Sequence, residues 1–458
     1  MRIIIFGCGN IYRKYKNKLQ NGVEIGGIID HDEKLHGKKL DGIDVCYPKE
    51  IEKFDYDYIV LMSDSAPEMG EQLLQLGYSE KKIIHYLDFF GMFPCEMKKY
   101  AGVKNDNRIS GKRLLIVSVT LSFTGVPIVS LLTAKAAVQL GYEVTIAADG
   151  GDIRYIQEAV NNGIDVLICD NLRNASLQRL SWTERYDKIL VNSLPMIRLA
   201  VKLAKRREVN VWIHENPDEY ERIRYWKREI EAGIQKETLR IYAPSKRAAY
   251  HFERWFGSQK EAVILPLGIE DRGDAGTFIN KKICYGLVGE LVKRKGQDVF
   301  MSAVEQLPEN ILRDSFFFLA GKKNIFGFGK EIVKRAAMIN NCFLLGERTR
   351  QEMTKLYQML DVVVVASREE TVSMAAIESM MMGKVCIISN QTGMAEYIEQ
   401  GRNGFIFQSE NDKELNSLMT WCYQHQEQLK KIGQNARKTY ELNFTMDIFM
   451  RNIQKILQ

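Results

Sequence analysis

Residues 367–384 read "SREETVSMAAIESMMMGK" and directly follow "LDVVVVA", residues 360–366. The first run is apolar and β-branched throughout, which fits a strand buried on both faces of a parallel sheet. The second is rich in helix formers, with Thr371 or Ser373 suited to the N-cap and Gly383 to the far end. Together they predict a strand, a tight turn and a helix. Ligands of open α/β sheets bind at the carboxyl ends of strands. The N–H groups near Thr371–Met374 would stand at the positive end of the helix, a place for phosphate. Glu370 sits just before that end, and Glu378 about two turns into the helix.

Ionised carboxylates only accept hydrogen bonds, so the two glutamates suit a ligand rich in O–H donors. A sugar nucleotide has the matching shape. Its diphosphate would lie at the helix end, its sugar near one glutamate and its ribose near the other. A solvated helix face accounts for either glutamate alone. The pair at a strand end favours the ligand.

The same alternation runs through the chain. "RIIIFG", "EIGGIID" and "YDYIVLMS" read as parallel strands of an N-terminal module, residues 1–95. A polar stretch, 96–112, reads as a linker. A second set of strands and helices covers 113–270, a second polar break follows, and a third set covers 280–440. Residues 441–458 read as a final helix that crosses back onto the middle domain. Apolar strands alternating with helices predict an α/β fold with parallel sheets.

The chain has 458 residues, 45% hydrophobic and 27% charged, and a net charge of +6. No apolar run is long enough to span a bilayer, and the N-terminus lacks the pattern of a secretory signal. The eight cysteines are scattered without a CxxC pair. That predicts reduced thiols in a cytoplasm and no zinc site. The mild positive charge suits an anionic small molecule or an anionic membrane surface. No nucleic-acid partner is expected.

"SREETVSMAAIESMMMGKVCIISNQTGMAEYIEQGRNGFIF" resembles the donor-site signature of retaining GT-B glycosyltransferases, family 4 (glycosyl transferases group 1). The resemblance extends over about residues 113–455. It implies two Rossmann-like domains facing a cleft, in addition to the smaller Rossmann-like module at the N-terminus. It also implies that Glu370 contacts the transferred sugar and Glu378 the ribose, with Thr371, Val372, Ser373 and Met374 at the diphosphate. The family often has Gly-Phe-Gly where this chain has Thr371-Val372-Ser373. "LVGELVKRKGQDVF" resembles the family's phosphate segment, with Gly289 ending its strand and Lys295 placed to neutralise the leaving diphosphate. The family commonly has Arg after that glycine, whereas this chain has Glu290. Either Arg294 replaces that Arg or the donor sits differently. "TLSFTGVP" resembles the loop at the cleft floor, with Gly125 letting the backbone approach a ligand. His214, in "VWIHENPDEY", matches the family's histidine and is expected at a sugar hydroxyl. "YAPSKRAAYHF", with Ser245 at a strand end, reads as an interdomain and acceptor-side element.

Glu370, His214 and Lys295 are thus the expected catalytic residues. Gly125, Gly289, Arg294, Lys295, Glu370, Thr371, Val372, Ser373, Met374 and Glu378 are the expected donor contacts. The implied reaction is transfer from a sugar nucleotide, expected to be a UDP-sugar, to a glycan, lipid-linked or protein acceptor. It proceeds with retention, in bacterial cell-surface polysaccharide synthesis. No cofactor is expected, because the sugar nucleotide is a substrate and the family needs no metal.

The N-terminal module carries part of a dinucleotide fingerprint. Gly7 and Gly9 are present and Asp30 ends the second strand, but Tyr12 stands where the third glycine belongs. NAD is therefore not expected, and the module is read as a docking or scaffold element for a partner protein. Two other readings compete. One is an NAD-dependent sugar-nucleotide oxidoreductase or dehydratase. The other is a non-catalytic sugar-nucleotide-binding protein, which Glu290 keeps open. Finally, "MIRLAVKLAKRREVN" places Arg198, Lys202, Lys205 and Arg206 at helical spacing, and "ERIRYWKRE" adds cations with Tyr225 and Trp226. That pattern predicts a basic face for anionic headgroups at the inner side of the cell membrane, against the alternative of an ordinary sheet-covering helix.

Overall fold

The computed structural model describes residues 1–19, 22–94, 96–103, 111–123, 125–257, 260–273, 282–322 and 327–458. Cys95, part of the expected linker (104–110), residue 124 beside Gly125 and the polar break at 274–281 lie outside them. The chain divides into two units. One comprises residues 1–211 and 218–240, the other residues 212–217 and 241–458.

The first unit begins with β1 (Arg2–Phe6), β2 (Glu24–Ile29), β3 (Lys39–Leu40), β4 (Ile43–Cys46), β5 (Tyr58–Leu61) and β6 (Ile83–His85), in the order β3-β4-β2-β1-β5-β6. Only the β3–β4 pair is antiparallel. Ile3 and Ile5 join one apolar cluster, and Ile4 and Phe6 another. Successive side chains of β1 thus bury on opposite faces, which explains its unbroken apolar run.

A second sheet follows, built from β7 (Met97–Tyr100), β8 (Arg113–Val117), β10 (Glu143–Ala148), β12 (Asp165–Cys169), β13 (Lys188–Val191) and β14 (Val209–Trp212). Two short strands, β9 (Thr120–Leu121) and β11 (Gly150–Gly151), pair separately. The order is β14-β13-β8-β10-β12-β7. Residues 97–100, expected within a linker, instead form the antiparallel edge strand against β12. Lys98 and Lys99 are exposed there, as charged residues on edge strands commonly are, and this is why the segment lacks an apolar pattern.

This unit covers part of the expected membrane-facing surface. The helix is short, Ile197–Leu203, so Lys205 and Arg206 lie beyond it. Arg198 pairs with Asp88 of the N-terminal module and with Glu229 at 2.6 Å. Its guanidinium stands 4.9 Å from the Trp226 ring centroid, and Trp226 Nε1 donates to Asp88 Oδ2 at 2.8 Å. Lys202 donates to the carbonyl of Ala175 at 3.1 Å, and burial pushes its pKa down to about 8. The Tyr225 ring lies 4.8 Å from that of His85. Arg198, Lys202, Tyr225 and Trp226 are therefore committed to packing inside the unit, much of it against the N-terminal module. A periodicity of three and four shows which residues share a face, but not what covers that face.

The second unit contains the end of β15 (Leu239–Ala243), from residue 241, and its last residues pair in parallel with β16 (Val263–Ile264). It also holds a six-stranded parallel sheet of β17 (Ile283–Val288), β18 (Ser315–Ala320), β19 (Cys342–Gly346), β20 (Val362–Val365), β21 (Val385–Ser389) and β22 (Phe405–Phe407). Their order is β19-β18-β17-β20-β21-β22. Val362 and Val364 bury in one apolar cluster, Val363 and Val365 in another. The final helix, Met446–Leu457, stacks Phe449 against Trp212, with centroids 5.9 Å apart.

Candidate functional site

β17 is the point where the strand order of the second unit's sheet reverses, with β18 on one side and β20 on the other. Ligands of such sheets bind at that crevice. The chain leaves β17 through Gly289 and turns at Lys293–Gly296. It leaves β20 through Ser367–Ser373.

The two turns meet. Gly296 has φ 68°, and a Cβ there would stand 1.9 Å from the Ala366 carbonyl oxygen, so only glycine allows the approach. The methylenes of Lys295 lie against Gly289, 3.3 to 3.5 Å from where a Cβ would be. From this perch Lys295 Nζ donates to Glu370 Oε1. The other oxygen of Glu370 accepts from Ser367 Oγ at 2.7 Å. Its backbone is pinned as well. Glu370 N–H donates to the Gln391 carbonyl at 3.1 Å, and its own carbonyl accepts from Gly393 N–H at 2.8 Å. Glu370 is buried, and these partners satisfy both of its carboxylate oxygens.

Ser373 caps the helix Met374–Met381, its side chain accepting from Ala376 N–H. The N–H groups of Val372, Ser373 and Met374 have no partner among the described residues. They stand beside Glu370 and Lys295 as ready anion donors. Thr371 is different. Its N–H donates to Asn216 Oδ1 at 3.2 Å, and its hydroxyl donates to the His214 carbonyl at 2.5 Å. Ser245 Oγ donates to the Thr371 carbonyl at 2.7 Å.

Glu378 is ion-paired with Arg272. Arg272 Nε is buried without a partner among the described residues. Tyr357 is fully buried nearby. Burial, and then the charge of Glu378, push its phenol well above the usual range, so it stays protonated.

The structure thus brings Gly289, Arg294, Lys295, Glu370, Thr371, Val372, Ser373, Met374 and Glu378 together on two neighbouring loops and one helix. Arg294 Nη1 donates to the Glu369 carbonyl at 3.1 Å. Glu290 is exposed, and its carboxylate has no partner among the described residues. His214 meets the loop through its carbonyl. Its ring lies 4.6 Å from that of Trp212, and burial pushes its pKa down to about 3, so it is neutral. Gly125 opens a helix of the first unit, with φ 30°. Sequence reading missed Arg272, Asn216 and Ser367. Arg272 sits in a polar break without periodicity, and nothing in its spacing links it to Glu378. Among the described residues, no group of three His, Cys, Asp or Glu side chains is placed to hold a metal. None of their helices is long and apolar enough to cross a membrane.

The fold is that of the GT-B glycosyltransferases. HepE of Anabaena, solved in complex with UDP-glucose, superposes with a TM-score of 0.64 at 16% identity, over 75% of this chain and 98% of that one. Residues 272–439 match the family "Glycosyl transferases group 1", and residues 1–84 match "C2185-like, N-terminal". An uncharacterized glycosyltransferase of Methanocaldococcus jannaschii, MJ1178, is 24% identical over 39% of this chain and 51% of its own length. Spore coat protein SA of Bacillus subtilis is 24% identical over 49% of this chain and 60% of its own length. The chain thus spans between half and two thirds of these relatives.

Proposed function

We propose that the chain transfers a sugar from a UDP-sugar to a glycan, lipid-linked or protein acceptor, with retention of configuration. The observation that carries this reading is the meeting of Lys295, Glu370 and the open N–H groups of residues 372–374 at the reversal of the strand order. The solved complex of HepE with UDP-glucose and the family matched by residues 272–439 support it.

On this reading the diphosphate lies at the helix end and draws Lys295 toward it. Glu370 faces the transferred sugar and Glu378 the ribose. The bond from the anomeric carbon to the diphosphate oxygen breaks, and the acceptor oxygen bonds to that carbon on the same face. The acceptor proton passes to the departing phosphate oxygen. The protein supplies position and charge, and neither NAD nor a metal takes part.

Residues 113–270 serve the acceptor and 280–440 the donor. The module at 1–95 is an accessory element, open to a partner protein. We place the activity in the cytoplasm, in surface-polysaccharide synthesis. The membrane face built on Arg198 and Lys202 is not part of this reading. Release of UDP from a panel of UDP-sugars, with Glu370→Gln as the control, tests the proposal. Equal release by the folded variant and the wild type would reject it.

A further inference from the structure

The residue before the reacting carboxylate is also a glutamate. Glu369 and Glu370 are consecutive, and their side chains take different partners. Glu370 turns to Lys295. Glu369 turns to the helix Lys246–Phe256, where Arg247 grips both of its oxygens, Nε to Oε1 at 2.6 Å and Nη2 to Oε2. His251 Nε2 lies 3.0 Å from the same Oε1. Arg247 Nη2 also donates to the side chain of Gln391, whose backbone carbonyl accepts the N–H of Glu370. One guanidinium therefore holds both the residue before Glu370 and the residue that carries its backbone hydrogen bond.

The same helix holds the other flank. Its N-cap, Ser245, donates to the Thr371 carbonyl at 2.7 Å. Gly393 lies tight against both, since a Cβ there would stand 2.0 Å from the Thr371 oxygen and 2.5 Å from Ser245 Oγ. Burial works to raise the pKa of Glu369. The hydrogen bonds from His251 and Arg247 more than offset it and hold the carboxyl below its usual range. A planar fork meeting a carboxylate along two bonds fixes direction as well as distance. Such a clamp, largely buried, is suited to fixing where Glu370 points.

We propose that Arg247, aided by His251, is a positioning residue for Glu370, acting through Glu369 and Gln391. The proposal rests on the assignment of Glu370 to the transferred sugar. It makes the start of this helix a determinant of turnover, although Arg247 itself need not touch the donor. Displacing a reacting group by a fraction of an ångström costs rate and leaves contacts made elsewhere on the ligand in place. The diphosphate contacts, at Lys295 and residues 372–374, should thus survive loss of the clamp.

The experiment compares wild type, Glu370→Gln, Arg247→Ala, Arg247→Lys and Glu369→Gln. Melting confirms folding, calorimetry gives UDP affinity, and UDP release from UDP-sugars gives the rate. Arg247→Ala is expected to lower the rate about tenfold or more while UDP affinity stays within about threefold. Arg247→Lys, which keeps the charge but loses the fork, should recover only part of the rate. Glu369→Gln should resemble Arg247→Ala. A rate for Arg247→Ala within about twofold of wild type, beside an inactive Glu370→Gln, would overturn the positioning role. So would a parallel fall in rate and UDP affinity, which marks a loosened loop rather than a misdirected carboxylate. If Glu370→Gln is as active as wild type, or if wild type releases no UDP from any of the sugars, the underlying assignment fails instead.

Discussion

Lys295 and Glu370 neutralise each other across the reversal of the strand order, each reaching from a different strand of the same sheet. On the proposed reading, a diphosphate entering this site competes with the carboxylate for the ammonium group. Glu370→Gln should therefore bind UDP more tightly than wild type while losing about a hundredfold or more in turnover. Lys295→Ala should lose affinity for UDP but keep most of its weak affinity for uridine. Calorimetry with UDP and uridine separates the two effects. Equal losses for both ligands in Lys295→Ala would make the lysine purely structural.

The pair also bears on stability. The side chains of Lys295 and Glu370 are 18% and 9% exposed. Removing the cation leaves a buried carboxylate with Ser367 as its remaining side-chain partner. Lys295→Met should cost about 3 kcal/mol. Adding Glu370→Gln to it should recover a good part, because the uncompensated charge is then gone. Urea unfolding of the two single variants and the double variant checks this. Additive losses would show that the pair is not coupled.

Glu378 and Arg272 form the second pair, and they should act on donor binding more than on the chemical step. Glu378→Ala and Arg272→Ala are each expected to raise the KM for a UDP-sugar about tenfold with a smaller change in kcat. The double variant should be little worse than either single one, because on the proposed reading the carboxylate that Arg272 holds is the one that faces the ribose. Steady-state UDP release gives both constants. A fall confined to kcat would place Glu378 at the reacting sugar instead.

Much of this site was legible in the sequence, because its parts announce themselves locally. The run Val362–Val365 is buried on both faces, and a helix opening follows it within ten residues. The two glutamates are placed by that geometry alone. Lys295 was legible from its glycine neighbour, and the contact at Gly296 shows why that glycine is there. The partners were not legible. Arg272, Arg247 and His251 lie more than a hundred residues from Glu378 and Glu369, and no period in a sequence encodes such a meeting. The covering of the basic helix was not legible for a related reason. Arg198 and Lys202 have the spacing of a surface face, but the covering element, with Asp88, comes from a module over a hundred residues earlier.

That buried cluster gives a further expectation. The side chains of Arg198 and Asp88 are 14% and 17% exposed. Asp88→Ala or Arg198→Glu should destabilise the first unit by about 3 kcal/mol and make the N-terminal module a target for limited proteolysis. Wild type should show no preference for anionic over neutral vesicles that depends on these residues. Salt-sensitive co-sedimentation abolished by Arg198→Glu, with the fold intact, would restore the membrane surface.

His85 makes the same interface sensitive to acid. Its ring is buried beside those of Tyr86, Tyr225 and Trp226, and Nδ1 accepts from Leu87 N–H. Burial pushes its pKa from 6.5 down to about 4. In the unfolded chain the ring takes its proton near pH 6.5, but in the folded chain only near pH 4. Above pH 6.5 neither state is protonated and the contribution is fully present. As pH falls from 6.5 to 4 the unfolded state alone binds the proton, so stability drops by about 1.4 kcal/mol per pH unit. His85→Gln should begin less stable, because the ring contacts are lost, yet should lack this slope. Urea midpoints at pH 7, 6 and 5 give the difference between the two proteins. It should narrow on acidification, and a constant gap would show that His85 does not titrate in this window.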